Sequence, residues 1–170
     1  MPPKIKTQAF LANLPLFKEL APAEIDRIAA GTTELHVPRG EILFNKGDAC
    51  VGFHLVIYGQ VKLSFVTSQG SEKVVEIVAP GYSFGEALMF MEKPYILMAQ
   101  ALADSMLLHV AKSVVFAEIE RDPKLAEGYV QLAIALGFRG RIVSAMEAQS
   151  EGLAEKGRAE LMNYTVVSPL

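Results

Sequence analysis

Between Thr32 and Ala111 the chain keeps a period of two, broken at short intervals by glycine or proline. Leu35 and Val37 alternate with Glu34 and His36. Pro38-Arg39-Gly40 turns the chain into Glu41-Ile42-Leu43-Phe44-Asn45, and Lys46-Gly47-Asp48 turns it again. Phe53, Leu55 and Ile57 face one way, His54 and Val56 the other. After the Tyr58-Gly59 turn, Val61, Leu63 and Phe65 alternate with Lys62 and Ser64. Ser68-Gln69-Gly70-Ser71 is a hairpin tip, and Val75 and Ile77 lie in a strand that stops at Pro80-Gly81. Strands near 96–103 and 106–111, joined at Asp104-Ser105, complete the set. Side chains alternate across a strand, so short runs of this kind between turn residues predict an antiparallel barrel or jelly roll.

Helical periodicity frames the strands. Residues 5–13 read as a helix with Ile5, Ala9 and Ala12 on one side, broken ahead of Pro15 because proline pushes its predecessor out of the helical region. Pro22 opens a second helix in its first turn, Ile25, Ile28 and Ala29 form its apolar stripe, and Gly31 stops it. Residues 112–120 return to helix. Asp122-Pro123 then opens a long one, with Asp as cap and Pro at the first position. In it, Leu125, Tyr129, Leu132, Leu136, Val143 and Met146 keep a three-and-four spacing, interrupted at Arg139. Ala126, Ala133, Gly137, Gly140 and Ser144 form a second, small-residue ridge. Such a ridge lets two helices approach closely. The helix packs either on its own barrel or against a second copy. Gly137 and Gly140 each cost about 1 kcal/mol against alanine in a helix interior, a loss that close contact would offset.

Composition works by exclusion. The chain has 170 residues, 51% of them hydrophobic, enough for one domain with a core and a helical extension. A net charge of −3 gives no strong pull toward nucleic acid. No apolar run is long enough to span a bilayer, and Met1-Pro2-Pro3-Lys4 lacks the apolar core of a secretory signal, so cytoplasmic placement is expected. The single cysteine, Cys50, excludes an internal disulfide or an iron–sulfur set. There is no phosphate-loop glycine motif and no nucleophile elbow, and the expectation is a protein that is not an enzyme. A cupin-type metal enzyme is the rival, but His36, His54 and His109 lie far apart and no two share a strand. The alternation predicts His36 and His109 outward, and His54 filling a sheet face.

One stretch departs from the strand pattern. Pro80-Gly81-Tyr82-Ser83-Phe84 leads into a short helical turn at Gly85-Glu86, and an apolar strand resumes near Ile96. A helical turn inside a β domain presents free backbone N–H groups, a cradle for an anion. Glu86 at its mouth is placed to accept hydrogen bonds from a sugar hydroxyl or from backbone donors.

This stretch resembles the phosphate-binding cassette of cyclic-nucleotide-binding domains, above all those of the Crp/Fnr transcription regulators. Phe10-Leu11 through Pro15-Leu16-Phe17, Gly40-Glu41-Ile42-Leu43-Phe44 with Gly47-Asp48, and Leu55 through Leu63 resemble further landmarks of that family, over roughly residues 10–120. Phe84 through Tyr95 with Ala99-Gln100-Ala101 is similar to the dissimilatory nitrate respiration regulator branch, whose members are associated with haem and nitric oxide sensing. The resemblance implies a mainly β fold with flanking helices, an antiparallel jelly roll followed by a long dimerisation helix. It implies a barrel with N-terminal helices over 1–120, the dimerisation helix over 121–150, and a partial helix or tail over 151–170, where a winged helix-turn-helix would follow in a complete regulator. The implied function is a ligand-sensing domain that signals allosterically through a homodimer. Leu125, Tyr129, Leu132, Leu136, Gly140 and Val143 would form the interface, with a small-molecule or gas effector, no membrane, and DNA bound only by the full-length regulator. The alternative is a cyclic-nucleotide-binding regulatory module of a kinase, channel or other effector.

In the family's nucleotide-binding members, the Gly-Glu pair is followed by an Arg-Ser/Thr pair that grips the phosphate. Tyr95, Ile96 and Leu97 stand there in this chain. A buried phosphate needs a paired cation, best a bidentate arginine. Between Pro80 and Lys112 the basic residues are Lys93 and His109 alone. Cyclic nucleotide is therefore disfavoured. Haem is the other cofactor the branch suggests, but the dimer-helix histidine common in that branch is absent from Phe138-Arg139-Gly140-Arg141. The expected ligand-binding residues are Phe84, Gly85, Glu86, Ala87, Tyr95, Ile96, Leu97 and Met98. Either the apolar wall Tyr95–Met98 fills the old pocket with core, or it converts the pocket to an apolar ligand.

Overall fold

A computed structural model of the chain describes residues 6–122. Eight strands run β1 Thr32–Val37, β2 Ile42–Phe44, β3 Gly52–Tyr58, β4 Val61–Val66, β5 Glu72–Val78, β6 Ser83–Phe84, β7 Met98–Ala101 and β8 Ser105–Ala111. They form two four-stranded sheets, ordered β1-β8-β3-β6 and β2-β7-β4-β5, with every pairing antiparallel. Four α-helices accompany them: α1 Thr7–Ala12, α2 Pro22–Ala30, α3 Glu86–Met91 and α4 Lys112–Arg121, with a 3-10 turn at Pro15–Phe17. The antiparallel jelly roll with flanking helices matches the expectation from the strand pattern. The proposed dimerisation helix, with Leu125, Tyr129, Leu132, Leu136, Gly140 and Val143, lies outside the described residues.

Two cores share the β1-β8-β3-β6 sheet. Val56 and Leu107, paired in register, face Val61, Leu63 and Ala99 of the other sheet. Phe53, Leu55, Leu108 and Val110 face the opposite way, onto Leu11, Phe17, Ile25, Ile28 and Val115. The central strands β3 and β8 are thus covered by helices on one side and by the second sheet on the other. This overturns one expectation. His109 was expected outward because it alternates with Leu108 and Val110. Those two residues pack on the helices, so His109 turns toward the barrel, half-buried, directly opposite His54. A polar residue alternating with apolar ones marks a solvent face only where the sheet has one. His36, on β1, is exposed as expected, and His54 is buried within the sheet face.

The helices are fixed by both local and long-range contacts. Pro22 opens α2, whose Arg27 forms an ion pair with Glu118 of α4, the Nη2–Oε2 bond measuring 3.1 Å. Glu118 is buried, so its carboxylate needs that partner. Gly31 ends α2 close against Val114, where a Cβ would lie 2.3 Å from a valine methyl. Asp122 leaves the helical region (φ −118°, ψ 115°), as the residue before Pro123 is driven to do. Among the described residues no helix is long and apolar enough to cross a membrane.

Candidate functional site

The cassette begins where β6 ends. Gly85 takes φ 94°, a left-handed conformation that glycine adopts without strain, and α3 starts at once with Glu86. Met89 N–H donates to Gly85 O at 3.1 Å, and Lys93 N–H closes the far end on Leu88 O at 3.0 Å. Glu92 ends the helix at φ 54° and pairs with Lys112 Nζ at 2.8 Å. The helix's apolar residues serve both cores. Leu88 faces the barrel, while Met89 and Phe90 face the helical layer. Glu86 is 2% exposed, so the residue expected at an open mouth is inside the protein.

Tyr95 is the hub of the return path. Its ring stacks on Phe44 with centroids 3.5 Å apart and planes within 3°. Its backbone clamps the β2–β3 turn: Gly47 N–H donates to Tyr95 O at 2.7 Å, and Tyr95 N–H donates to Asp48 O at 2.9 Å. Its hydroxyl hydrogen-bonds with the Cys50 thiol, and burial, reinforced by Cys50, pushes its pKa upward. Cys50 is half-buried and lies 3.4 Å from Gly52 O and 3.7 Å from Gly85 O as a donor. Burial pushes its pKa up as well, which keeps it a neutral thiol.

Of the residues picked from the sequence, Phe84, Tyr95 and Ile96 meet in the barrel core, with Leu97 packed against them. Gly85 abuts the Tyr95 ring, where a Cβ would lie 3.8 Å from Cε1. Ala87 is half-buried. Met98 pairs with Ser64 on the face of β4 opposite Leu63, so it lies away from the barrel interior. Ile96 and Tyr95 fill space as core side chains do, and β7 begins at Met98, two residues later than the apolar run suggested.

Sequence reasoning missed the aromatic wall completing this region. Phe44, His54 and Phe84 lie together: His54 stacks on Phe84 at 5.0 Å and 12°, and Phe44 lies 5.9 Å from His54. His54 and His109 face each other across strands, with ring centroids 4.8 Å apart. Burial, and then the proximity of His109, holds the His54 pKa down to about 3; burial lowers that of His109. Both imidazoles are neutral at neutral pH. Strand register carried the signal for this pair, but register is hidden until the partner strand is known. Among the described residues no group of three or more His, Cys, Asp or Glu is arranged to hold a metal ion.

An αL glycine, a buried glutamate and a single helical turn between two strands of a jelly roll coincide with a match to the sequence model of the cyclic nucleotide-binding domain over residues 34–122. The chain belongs to that family. It is 31% identical over 118 residues to the cyclic AMP receptor protein of Thermus thermophilus, covering 69% of this chain and 55% of that one. It is 26% identical over 94 residues to a cAMP-dependent protein kinase regulatory subunit of Blastocladiella emersonii, covering 55% of this chain and 23% of that one. The sensor domain of the transcriptional regulator DNR from Pseudomonas aeruginosa superposes with a TM-score of 0.71 at 28% identity, covering 78% of this chain and 89% of that one. These likenesses support the Crp/Fnr family and a DNR-like branch. The chain spans little more than half the length of the receptor protein it matches.

Proposed function

We propose that residues 6–122 form the effector-sensing domain of a Crp/Fnr-type transcription regulator, and that the effector lacks a phosphate. One observation carries the second half of this reading. Ile96, in the stretch where a phosphate-gripping arginine would stand, is 9% exposed and packed in the barrel core beside the Tyr95–Phe44 stack. An anionic phosphate there would lose its hydration without gaining a cation. Lys112 is committed to Glu92.

The described residues also suit haem poorly at His54. Phe84 stacks on one side of its ring, His109 lies within 4.8 Å, and the residue is 6% exposed, which leaves no open approach for an axial bond. The effector surface would comprise Phe84, Gly85, Glu86, Ala87, Tyr95, Ile96 and Leu97, serving an uncharged, largely apolar small molecule. The signal would pass from α4 into the segment beyond Asp122. There Leu125, Tyr129, Leu132, Leu136, Gly140 and Val143 would pair two copies, and differential effector contacts in two states would shift their arrangement.

Two measurements test this. Sedimentation should give a dimer, and Leu132→Lys with Leu136→Lys should give a monomer that still melts cooperatively. Cyclic AMP or cyclic GMP should leave the melting temperature unchanged. A ligand at a hundred times its dissociation constant would stabilise the folded form by about 2.7 kcal/mol. A rise of that size, abolished by Glu86→Ala, would replace this reading with the nucleotide-dependent regulatory module.

A further inference from the structure

The edge strand of a sheet carries backbone groups that no neighbouring strand uses, and most edges of this jelly roll are blunted. β6 has two residues, β2 has three in broken register, and β5 carries an extra residue, Val75, where Val74 and Glu76 pair with successive residues of β4. β1 has none of these defects. It is the outer strand of the β1-β8-β3-β6 sheet, opposite β6, and Thr32–Val37 pair with β8 without a shift. Just before the strand, Ala111 N–H donates to Gly31 O at 3.0 Å, so in this register Thr33, Leu35 and Val37 direct their backbone groups to β8. Thr32, Glu34 and His36 direct theirs outward. Among the described residues no hydrogen bond reaches the outward N–H or C=O of Glu34 or His36, and both side chains are exposed. We propose that this edge is a self-association surface, pairing antiparallel with β1 of a second copy about a two-fold axis at Leu35.

The side chains choose the register. For the two strands to bond, residues with outward backbone groups must lie opposite one another. Centred on Glu34, the pairing sets two carboxylates face to face; centred on His36, it sets two imidazoles face to face. Centred on Thr33, it places Glu34 against Thr32 and puts no apolar side chain on the axis. Centred on Leu35, it places Glu34 opposite His36 of the second copy on both sides of the axis, and each such pair exchanges both backbone N–H···O bonds. The Glu34 carboxylate then accepts from an imidazole N–H, on the face of the sheet shared with Leu108 and Met106. On the other face half-buried Leu35 meets Leu35 of the second copy, in a pair without backbone bonds, where side chains come closest. Thr33 flanks it opposite Val37. Pro38 ends the ladder, since it has no N–H and its carbonyl already accepts from Glu41 N–H at 3.1 Å. So short a ladder makes a weak contact, populated at high protein concentration. β1 and β6 are opposite edges of one sheet, so this surface is separate from the cassette.

The test is residue-resolved amide hydrogen exchange on the full chain at about 10 μM and about 1 mM protein. The amides of Glu34 and His36 should gain about tenfold protection at the higher concentration, while those of Thr33 and Leu35, bonded to β8 in either state, should not change. His36→Glu sets carboxylates opposite one another and should remove the gain; adding Glu34→Lys makes the pairs unlike again and should bring it back. Both positions are exposed, so each variant should still melt cooperatively. Leu132→Lys with Leu136→Lys should keep the gain, which separates this surface from the proposed helix interface. Fast exchange at Glu34 and His36 at both concentrations would overturn the pairing. So would protection independent of concentration, which would mean that the chain covers its own edge. A gain that survives His36→Glu, that Glu34→Lys fails to restore, or that disappears with the helix variant would equally overturn it. No effector enters the test, so its failure leaves the proposed function standing, and failure of the effector reading leaves the pairing standing.

Discussion

Placing an arginine where the cassette has Ile96 tests the account of the pocket most directly. Ile96 is 9% exposed within the barrel core, and removing an aliphatic side chain from such a site forfeits about 1.5–3 kcal/mol. The guanidinium then sits beside apolar groups, an uncompensated charge worth about 3–5 kcal/mol if it stays buried. Arginine bends toward water where it can, and half-buried Leu97 next door marks the exit. A net loss of about 3–5 kcal/mol for Ile96→Arg is therefore expected, read as a lower urea midpoint with an unchanged slope. The double variant Ile96→Arg/Leu97→Ser should behave alike, but with one difference. Gly85 and Glu86 keep the cassette geometry, so cyclic AMP at a hundred times its dissociation constant should return about 2.7 kcal/mol to the double variant and nothing to the parent. An arginine variant as stable as the parent would show that position 96 is not core. Stabilisation of the parent by the nucleotide would show that the phosphate needs no arginine here. A destabilised double variant blind to the nucleotide would show that the Gly85–Glu86 half of the cradle is no longer competent.

Gly52→Ala would place a Cβ 2.2 Å from Val110 O and 2.6 Å from His109 Nε2; it should destabilise by about 3 kcal/mol in chemical denaturation, and His109→Ala should not rescue it, because the Val110 carbonyl is backbone. For His54 the folded pKa of about 3 lies below the ordinary 6.5, so its contribution is complete above about pH 6.5 and lost as pH falls toward 3. About 2 kcal/mol should be gone by pH 5, and urea titrations of His54→Leu should lack that part of the slope while matching or exceeding the parent at pH 7.5. At the α2–α4 junction, Arg27→Met should destabilise more than Arg27→Met/Glu118→Met, because the single change leaves the Glu118 carboxylate buried without its cation; a double-mutant cycle in which the double variant loses the sum of the two single losses would show the pair to be uncoupled.

The contrast between Ile96 and His109 shows what the sequence could reveal. The jelly roll was legible because its signals are local: each strand announces itself by alternation, and each turn by Gly40, Gly47, Gly59, Gly70 or Gly81, all with positive φ. Gly85 and Glu86 were legible for the same reason, since a helical turn between strands needs a residue that adopts φ 94°. The replacement of an arginine by Ile96 is also a one-position fact, and its burial follows from its chemistry. The aromatic wall is a different kind of object. Phe44, His54, Phe84 and Tyr95 come from four separate segments, and only the pairing of β3 with β6 and the clamp of Tyr95 on the β2–β3 turn bring them together. His109 was misjudged because orientation depends on what covers each face. Two of the helices that cover the Leu108–Val110 face, α1 and α2, lie far away in sequence, and α4 folds back onto it directly after β8. The residues that define a Crp/Fnr cassette are therefore readable one by one. Whether the barrel behind them is open or filled depends on long-range register, and that is where the facing of His54 and His109 lay hidden.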